Sequence, residues 1–307
     1  MDVLDFRFRF AKKQLELMTL LCVGLDPDIA LLPAVYQAKI EKAGSDEEKA
    51  YIVLDWAKEI VDATIEHVCM YKPQIAHWEA LGTSGLKVLT LLVSYIHAKD
   101  PWVVVFLDCK RGDIDNTQDK YGVACFEKYG VDGMNFSPYM GKSCMKALYN
   151  KNHPERSLVG LCYTSNPDAR EMQDVVLADS GDTYWQYTAK RTLAWAEELG
   201  LGVLNNAGLV MAAAYPDKNN PEIIHSEHLV ICRKIVGDKL WFLIPGIGAQ
   251  GGLMKETIVK SYTEPGSIVV TESRSIIFAS KGDDYALSAN LAAEKSHNTM
   301  KQVLASM

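Results

Sequence analysis

The chain has 307 residues, 48% hydrophobic and 23% charged, with a formal net charge of −7. A sequence this apolar can bury a large core, which excludes intrinsic disorder, and 39 acids against 32 bases exclude a nucleic-acid binder driven by overall charge. An anionic partner therefore needs a positive site confined to one part of the molecule.

In chain order, Met1 to Phe10 (MDVLDFRFRF) breaks its only apolar run with charges, unlike a signal peptide. No later stretch reaches the ~18 uninterrupted apolar residues of a spanning helix, so no membrane association is expected. Leu20 to Leu25 reads as a buried strand, and Asp46 to Val68 as a helix with Val53, Ala57, Ile60, Val61 and Thr64 on one face. Cys69 to Lys72 is a second strand. Ser84 to Ala98 is helical and ends at the Asp100-Pro101 break. Trp102 to Leu107 (WVVVFL) is the clearest buried strand. Val131 to Phe136 is a fourth, with a short helix after it near Ser143 to Tyr149. Leu158 to Cys162 is a fifth, then a polar loop and a helix from Thr183 to Leu199 stopped by Gly200. Val203 to Ala214 contains a sixth strand, Glu222 to Val236 is helical, Leu240 to Ile244 and Ile268 to Thr271 are strands, and Asp284 to Ala305 closes the chain as a helix. Seven scattered cysteines without a CxxC read as reduced, mostly buried thiols of a cytoplasmic protein.

Eight βα units without a composition break favour one TIM (β/α)8 barrel over residues 1–307, a single domain with enlarged loops, rather than two domains. An open doubly wound sheet is the alternative, but no GxGxxG follows the first strand. The long loops Asn166 to Asp182 and Pro216 to Pro221 follow strands, so a barrel puts them on its C-terminal face, where active sites are built.

The third strand runs into Asp108-Cys109-Lys110-Arg111-Gly112-Asp113. Asp108 and Lys110 are two apart, which points both to one side of a strand. Four charges at a buried strand end are costly without partners, so the stretch is either a salt-bridge cluster closing the barrel or a catalytic group. Lys72 ends the second strand before Pro73, and Asp26 ends the first. Alone, Lys72 is equally a surface lysine and Asp26 a turn or cap residue. Together with Asp108 and Lys110 they ring one face. Gly246 to Gly252 has four glycines in seven residues, which permits close backbone approach to an anion, and Arg274 past the eighth strand can fork onto phosphate.

These segments resemble the orotidine 5′-monophosphate decarboxylase family, in its longer subgroup. The family signature Asp-x-Lys-x-x-Asp-Ile-x-x-Thr stands complete as Asp108, Lys110, Asp113, Ile114 and Thr117. The VGLDP, KPQ, TSNP, PGxGAQGG and SR segments are matched, in order, by residues 23–27, 72–74, 164–167, 245–252 and 273–274. The resemblance implies a lyase that decarboxylates orotidylate to uridylate, the last step of pyrimidine biosynthesis, without cofactor or metal. Lys72, Asp108, Lys110 and Asp113 would form its charged network. Asp113, Ile114 and Thr117 would come from the neighbouring subunit of a homodimer. Asp26 would contact ribose, Ser165 the pyrimidine amide and Pro245 the base, Gln250 and Arg274 would hold the phosphate, and Ser273 would also bind substrate. A separate orotate phosphoribosyltransferase chain is a conceivable partner. Ile247 replaces an aromatic residue often seen in the glycine loop, and Cys109 fills a variable slot.

Three rivals differ in chemistry. A sugar-phosphate synthase or decarboxylase on the same barrel would use Mg²⁺. A Schiff-base aldolase would use Lys72 or Lys110 but would need its lysine desolvated, not flanked by carboxylates. A silent barrel would bind uridylate without turnover. His225 and His228 at i, i+3 spacing could suggest a metal, but read as solvated surface histidines without a third ligand.

Overall fold

The computed structural model describes residues 5–149, 153–201, 206–247 and 252–307. Strands β1 (Leu21–Leu25), β2 (Met70–Pro73), β3 (Val104–Arg111), β4 (Gly133–Phe136), β5 (Ser157–Tyr163) and β6 (Ala207–Met211) follow one another along the chain. A short antiparallel hairpin, β7 (Tyr215–Pro216) and β8 (Ile224–His225), interrupts the series before β9 (Trp241–Ile244) and β10 (Ile268–Glu272). Apart from the hairpin, the strands pair in parallel and close in the order β1-β10-β9-β6-β5-β4-β3-β2. This is the eight-stranded barrel expected from the alternation. Each strand is short, apolar and buried, and the amphipathic helices between strands cover its outer face.

Helix starts follow ordinary capping chemistry. Ser45 Oγ accepts from Glu48 N at 3.2 Å, and Asp46, Glu47 and Glu48 occupy the first turn of the helix Asp46–Thr64, where acids oppose the helix dipole. A single 3₁₀ turn, Ile65–His67, ends that unit. Thr183 N donates to Gln186 Oε1 at 2.8 Å at the head of the helix Tyr184–Glu198.

The structure assigns one region that the sequence pattern leaves open and corrects another. The N-terminal segment is a helix, Phe6–Leu17, capped by Asp5, whose carboxylate accepts from Phe8 N at 3.0 Å. Phe6 and Phe10, one helical turn apart, face the barrel floor, where their rings lie 5.6 and 5.3 Å from Trp241. The helix thus plugs the end of the barrel opposite the strand C-termini. The correction concerns Glu222 to Val236. The helix there begins only at Glu227, because Ile224–His225 pairs with Tyr215–Pro216 in the hairpin. His225 and His228 therefore do not share a helix face. His228 is not a solvated histidine either: it is buried, and its Nε2 lies 2.8 Å from the carbonyl of Ala212. Among the described residues, no group of three or more His, Cys, Asp or Glu is arranged to hold a metal.

The loop after β5 is partly ordered into a 3₁₀ turn, Pro167–Ala169, and a short helix, Arg170–Gln173. It and the hairpin lie after strand C-termini, as the barrel reading requires. All seven cysteines are free and buried. Among the described residues, no helix is long and apolar enough to cross a membrane.

Candidate active site

A cavity of about 900 Å³ opens at the C-terminal mouth of the barrel. Its walls include Asp26, Lys72, Asp108, Lys110, Ser165, Pro245, Ser273 and Arg274, residues far apart in sequence. The structure therefore brings together eight of the twelve candidate residues. Asp113, Ile114 and Thr117 do not line the pocket of their own chain. They sit just beyond β3, where Ile114 is 44% exposed and caps the helix Asp115–Gly122. Gln250 lies outside the described residues.

Asp108 is the centre of the charged network. Its Oδ1 accepts from Lys110 Nζ at 2.5 Å and from Asn135 Nδ2 at 2.7 Å, while Oδ2 accepts from Lys72 Nζ at 3.2 Å. Burial alone would push its carboxyl up. The ammonium groups of Lys72 and Lys110 and the Asn135 amide outweigh that and hold it well below the usual carboxylate range. For Lys72, burial favours the neutral amine, but Asp26 and Asp108 reverse this and raise it above the ordinary lysine value. Lys72 is 5% exposed and stays a cation. A cation of this kind is a poor Schiff-base nucleophile.

The backbone that carries these groups is irregular. Leu107 pairs with Met134 and Arg111 with Phe136, so four residue steps on β3 span two on β4. Inside this bulge Lys110 has φ 48°, a left-handed conformation uncommon for a residue with a side chain. The two-residue spacing of Asp108 and Lys110 does place both at the pocket, but through a bulge rather than plain strand alternation.

Beside this network, Asp26 Oδ1 accepts from Gln74 N at 3.1 Å, tying the end of β1 to the exit of β2. Gly24 sits beneath: a Cβ there would lie 1.8 Å from Ser273 Oγ and 3.2 Å from Asp26 Oδ2. Only glycine lets β1 pass this close to β10's exit. Ser273 precedes the short helix Arg274–Ile277. Arg274 is exposed at the mouth and makes no ion pair with a described residue, so its guanidinium is open to an anion. Gly246, at φ 104°, and Gly252 bracket the glycine loop. Gly252 N donates to Gly246 O at 3.0 Å, and a Cβ on Gly252 would lie 2.5 Å from that oxygen.

Two contributors escape the sequence reading. Asn135 of β4 is one; a lone amide in the buried run Val131 to Phe136 was the available signal. Gln173 is the other. Its Oε1 accepts from Thr164 N at 2.9 Å and its Nε2 donates to Thr164 Oγ1 at 2.8 Å, pinning the turn that presents Ser165. Arg170 adds to this by stacking 3.4 Å from the centre of the Tyr163 ring and donating to the carbonyl of Thr164. No local spacing connects residues 164 and 173, so only the folded loop reveals the pair.

The site thus offers two ammonium groups around one ionised carboxylate on a pocket floor, with a guanidinium at its rim that makes no ion pair among the described residues. Known proteins match this chain closely. The family model described as orotidine 5′-phosphate decarboxylase / HUMPS family matches residues 19–287. A protein named orotidine 5′-phosphate decarboxylase from Azoarcus sp. is 34% identical over 276 residues, 90% of each chain. One of the same name from Cupriavidus taiwanensis is 35% identical over 285 residues, 92% of this chain and 93% of that one. Among solved structures, Leishmania donovani UMP synthase superposes with a TM-score of 0.74 at 26% identity, over 97% of this chain and 57% of the synthase. The OMP decarboxylase of the same organism, at 24% identity and TM-score 0.71, shares the fold.

Proposed function

Because the chain belongs to the orotidine 5′-phosphate decarboxylase / HUMPS family, we propose that it is a carboxy-lyase converting orotidylate to uridylate in pyrimidine biosynthesis, as one barrel domain without metal or cofactor. The observation that carries this reading is the Lys72–Asp108–Lys110 network on the pocket floor.

Orotidylate binds with its phosphate at the rim, held by Arg274, Ser273 and Gln250, and its base between Pro245 and the Ser165 turn. Asp26 takes the ribose. The substrate carboxylate then lies against Asp108, and like charges at close range oppose the bound ground state. The bond from carbon 6 to the carboxylate breaks, CO₂ leaves, and the electron pair stays on carbon 6. The Lys110 ammonium lies next to that developing charge, stabilises it and donates its proton to carbon 6. Solvent reprotonates the amine. Lys72 keeps Asp108 ionised throughout. Phosphate contacts are remote from the breaking bond, so their binding energy is available to draw the loops closed around the reacting base.

Asp113, Ile114 and Thr117 complete the site from a second copy of the chain. Their absence from their own chain's pocket, with Ile114 left exposed, supports this arrangement. Seven free thiols suit a reducing compartment and support a cytoplasmic location.

The Lys110→Ala variant tests the assignment. Turnover is expected to fall at least about 1,000-fold while uridylate binding is largely kept. Mixed with inactive Asp113→Ala chains, it should regain a fraction of wild-type activity, since one site of each mixed dimer is intact. Near-normal turnover by Lys110→Ala contradicts the role of the lysine, and no recovery on mixing contradicts the shared site.

A further inference from the structure

We infer that Asn135 is a positioning residue: its amide holds the β3 bulge in the shape that sets the Lys110 ammonium against Asp108, and so aims the proton donor. This rests on the catalytic reading above and deepens it.

In a regular parallel pair, the N–H groups of β3 would find carbonyls on β4. At the bulge the register jumps from Leu107–Met134 to Arg111–Phe136, so Asn135 has no β3 residue paired with it in the ladder, and its carbonyl accepts instead from Cys109 Sγ at 3.4 Å. The Asn135 side chain fills that gap. Its Oδ1 accepts from both Cys109 N, at 2.8 Å, and Lys110 N, at 2.7 Å. This fixes the amide's orientation, since only its oxygen can face two N–H donors. Nδ2 is thereby turned to Asp108 Oδ1, at 2.7 Å, the same oxygen that receives Lys110 Nζ. One side chain, 1% exposed, therefore ties down the backbone of the proton donor and the carboxylate it rests on.

The geometry explains why the left-handed Lys110 persists. A non-glycine residue at φ 48° relaxes toward an extended conformation unless something holds it. The two hydrogen bonds to Asn135 are the restraint on Lys110's own N–H and on the N–H before it. Without them, two buried donors lose their acceptor and the bulge is free to repack. Lys110 Nζ would then leave its place over the pocket floor, and a displacement of about 1 Å at a reacting group can cost about 100-fold in rate.

The test compares wild type with Asn135→Ala and with Asn135→Leu, which keeps the branched heavy-atom skeleton while deleting both the acceptor and the donor. Each variant is checked for cooperative unfolding, and whichever folds is read. The expected result is a fall in kcat of about 30- to 100-fold with KM and the uridylate Kd within about threefold of wild type, because the rim contacts are untouched. A crystal structure of the same variant should show Lys110 out of the left-handed region and its Nζ beyond hydrogen-bond reach of Asp108. A folded variant with kcat within threefold of wild type, or one whose crystal structure keeps both the φ and the Lys110–Asp108 contact, overturns the inference. If wild type itself fails to turn over orotidylate, the catalytic reading falls, and the crystal structure alone decides whether Asn135 holds the bulge.

Discussion

At the residue scale the site is an exercise in keeping charges where they are expensive. Asp108 stays ionised in a largely buried position only because two lysines and an amide surround it. Arg274 stands outside this network at the pocket mouth, and the proposed function gives it the phosphate. Arg274→Ala is expected to raise KM roughly 10- to 100-fold, the range for losing a charge-assisted bond. Steady-state kinetics against orotidylate checks this; an unchanged KM removes Arg274 from the phosphate site. The charged residues were legible because an acid and a base two apart at the end of WVVVFL leave two uses, a salt-bridge cluster closing the barrel or a catalytic group, and Lys72 and Asp26 at neighbouring strand ends favour the second. Asn135 was less legible, since a single amide in an apolar strand signals a partner without saying which. The bulge that makes it matter depends on pairing between β3 and β4, which no local spacing encodes.

At the scale of elements, strands with β-branched or aromatic runs declared themselves, and the capped amphipathic helices did too. The N-terminal helix did not. FRFRF alternates with period two, as a strand would, yet Phe6 and Phe10 meet Trp241 one helical turn apart. Tertiary burial beneath the barrel decides the matter over local pattern. The misplaced start of the Glu222 to Val236 helix bears on a titrating group. His228 stacks on Tyr163 with ring centres 4.6 Å apart, near the start of the helix Glu227–Val236. Burial pushes it down to about 4, with its hydrogen bond to Ala212 opposing, Arg170 adding to the shift, Glu227 opposing and His225 adding. The unfolded chain takes up this proton below about pH 6.5, whereas the folded chain does not until about pH 4. Stability is therefore lost as pH falls through that window, by about 2 kcal/mol from this group between pH 7 and pH 5. Urea unfolding of wild type and His228→Gln at both pH values should show the variant losing correspondingly less on acidification. Equal losses in the two proteins would show that His228 is protonated within the fold.

For the whole molecule, the average charge of −7 proved a poor guide to the pocket. Lys72, Lys110 and Arg274 gather positive charge at one mouth of the barrel, while the surface at large stays acidic. That contrast suits the proposed substrate, which carries both a phosphate and a carboxylate, and in the proposed function Asp108 opposes only the group that must leave. Closing eight strands into a barrel is what assembles the site, since Asp26, Lys72, Asp108, Pro245 and Arg274 come from the ends of five different strands. The order of the strands was readable from the alternation of elements; the shape of the loops above them was not, because it depends on contacts such as Gln173 with Thr164. The most direct measurement mixes purified protein with orotidylate in excess EDTA and follows conversion to uridylate by absorbance. The expected result is full conversion at a rate EDTA does not change. Protein shown to be folded that leaves orotidylate intact, or that acts only when Mg²⁺ is restored, would contradict a metal-free decarboxylase.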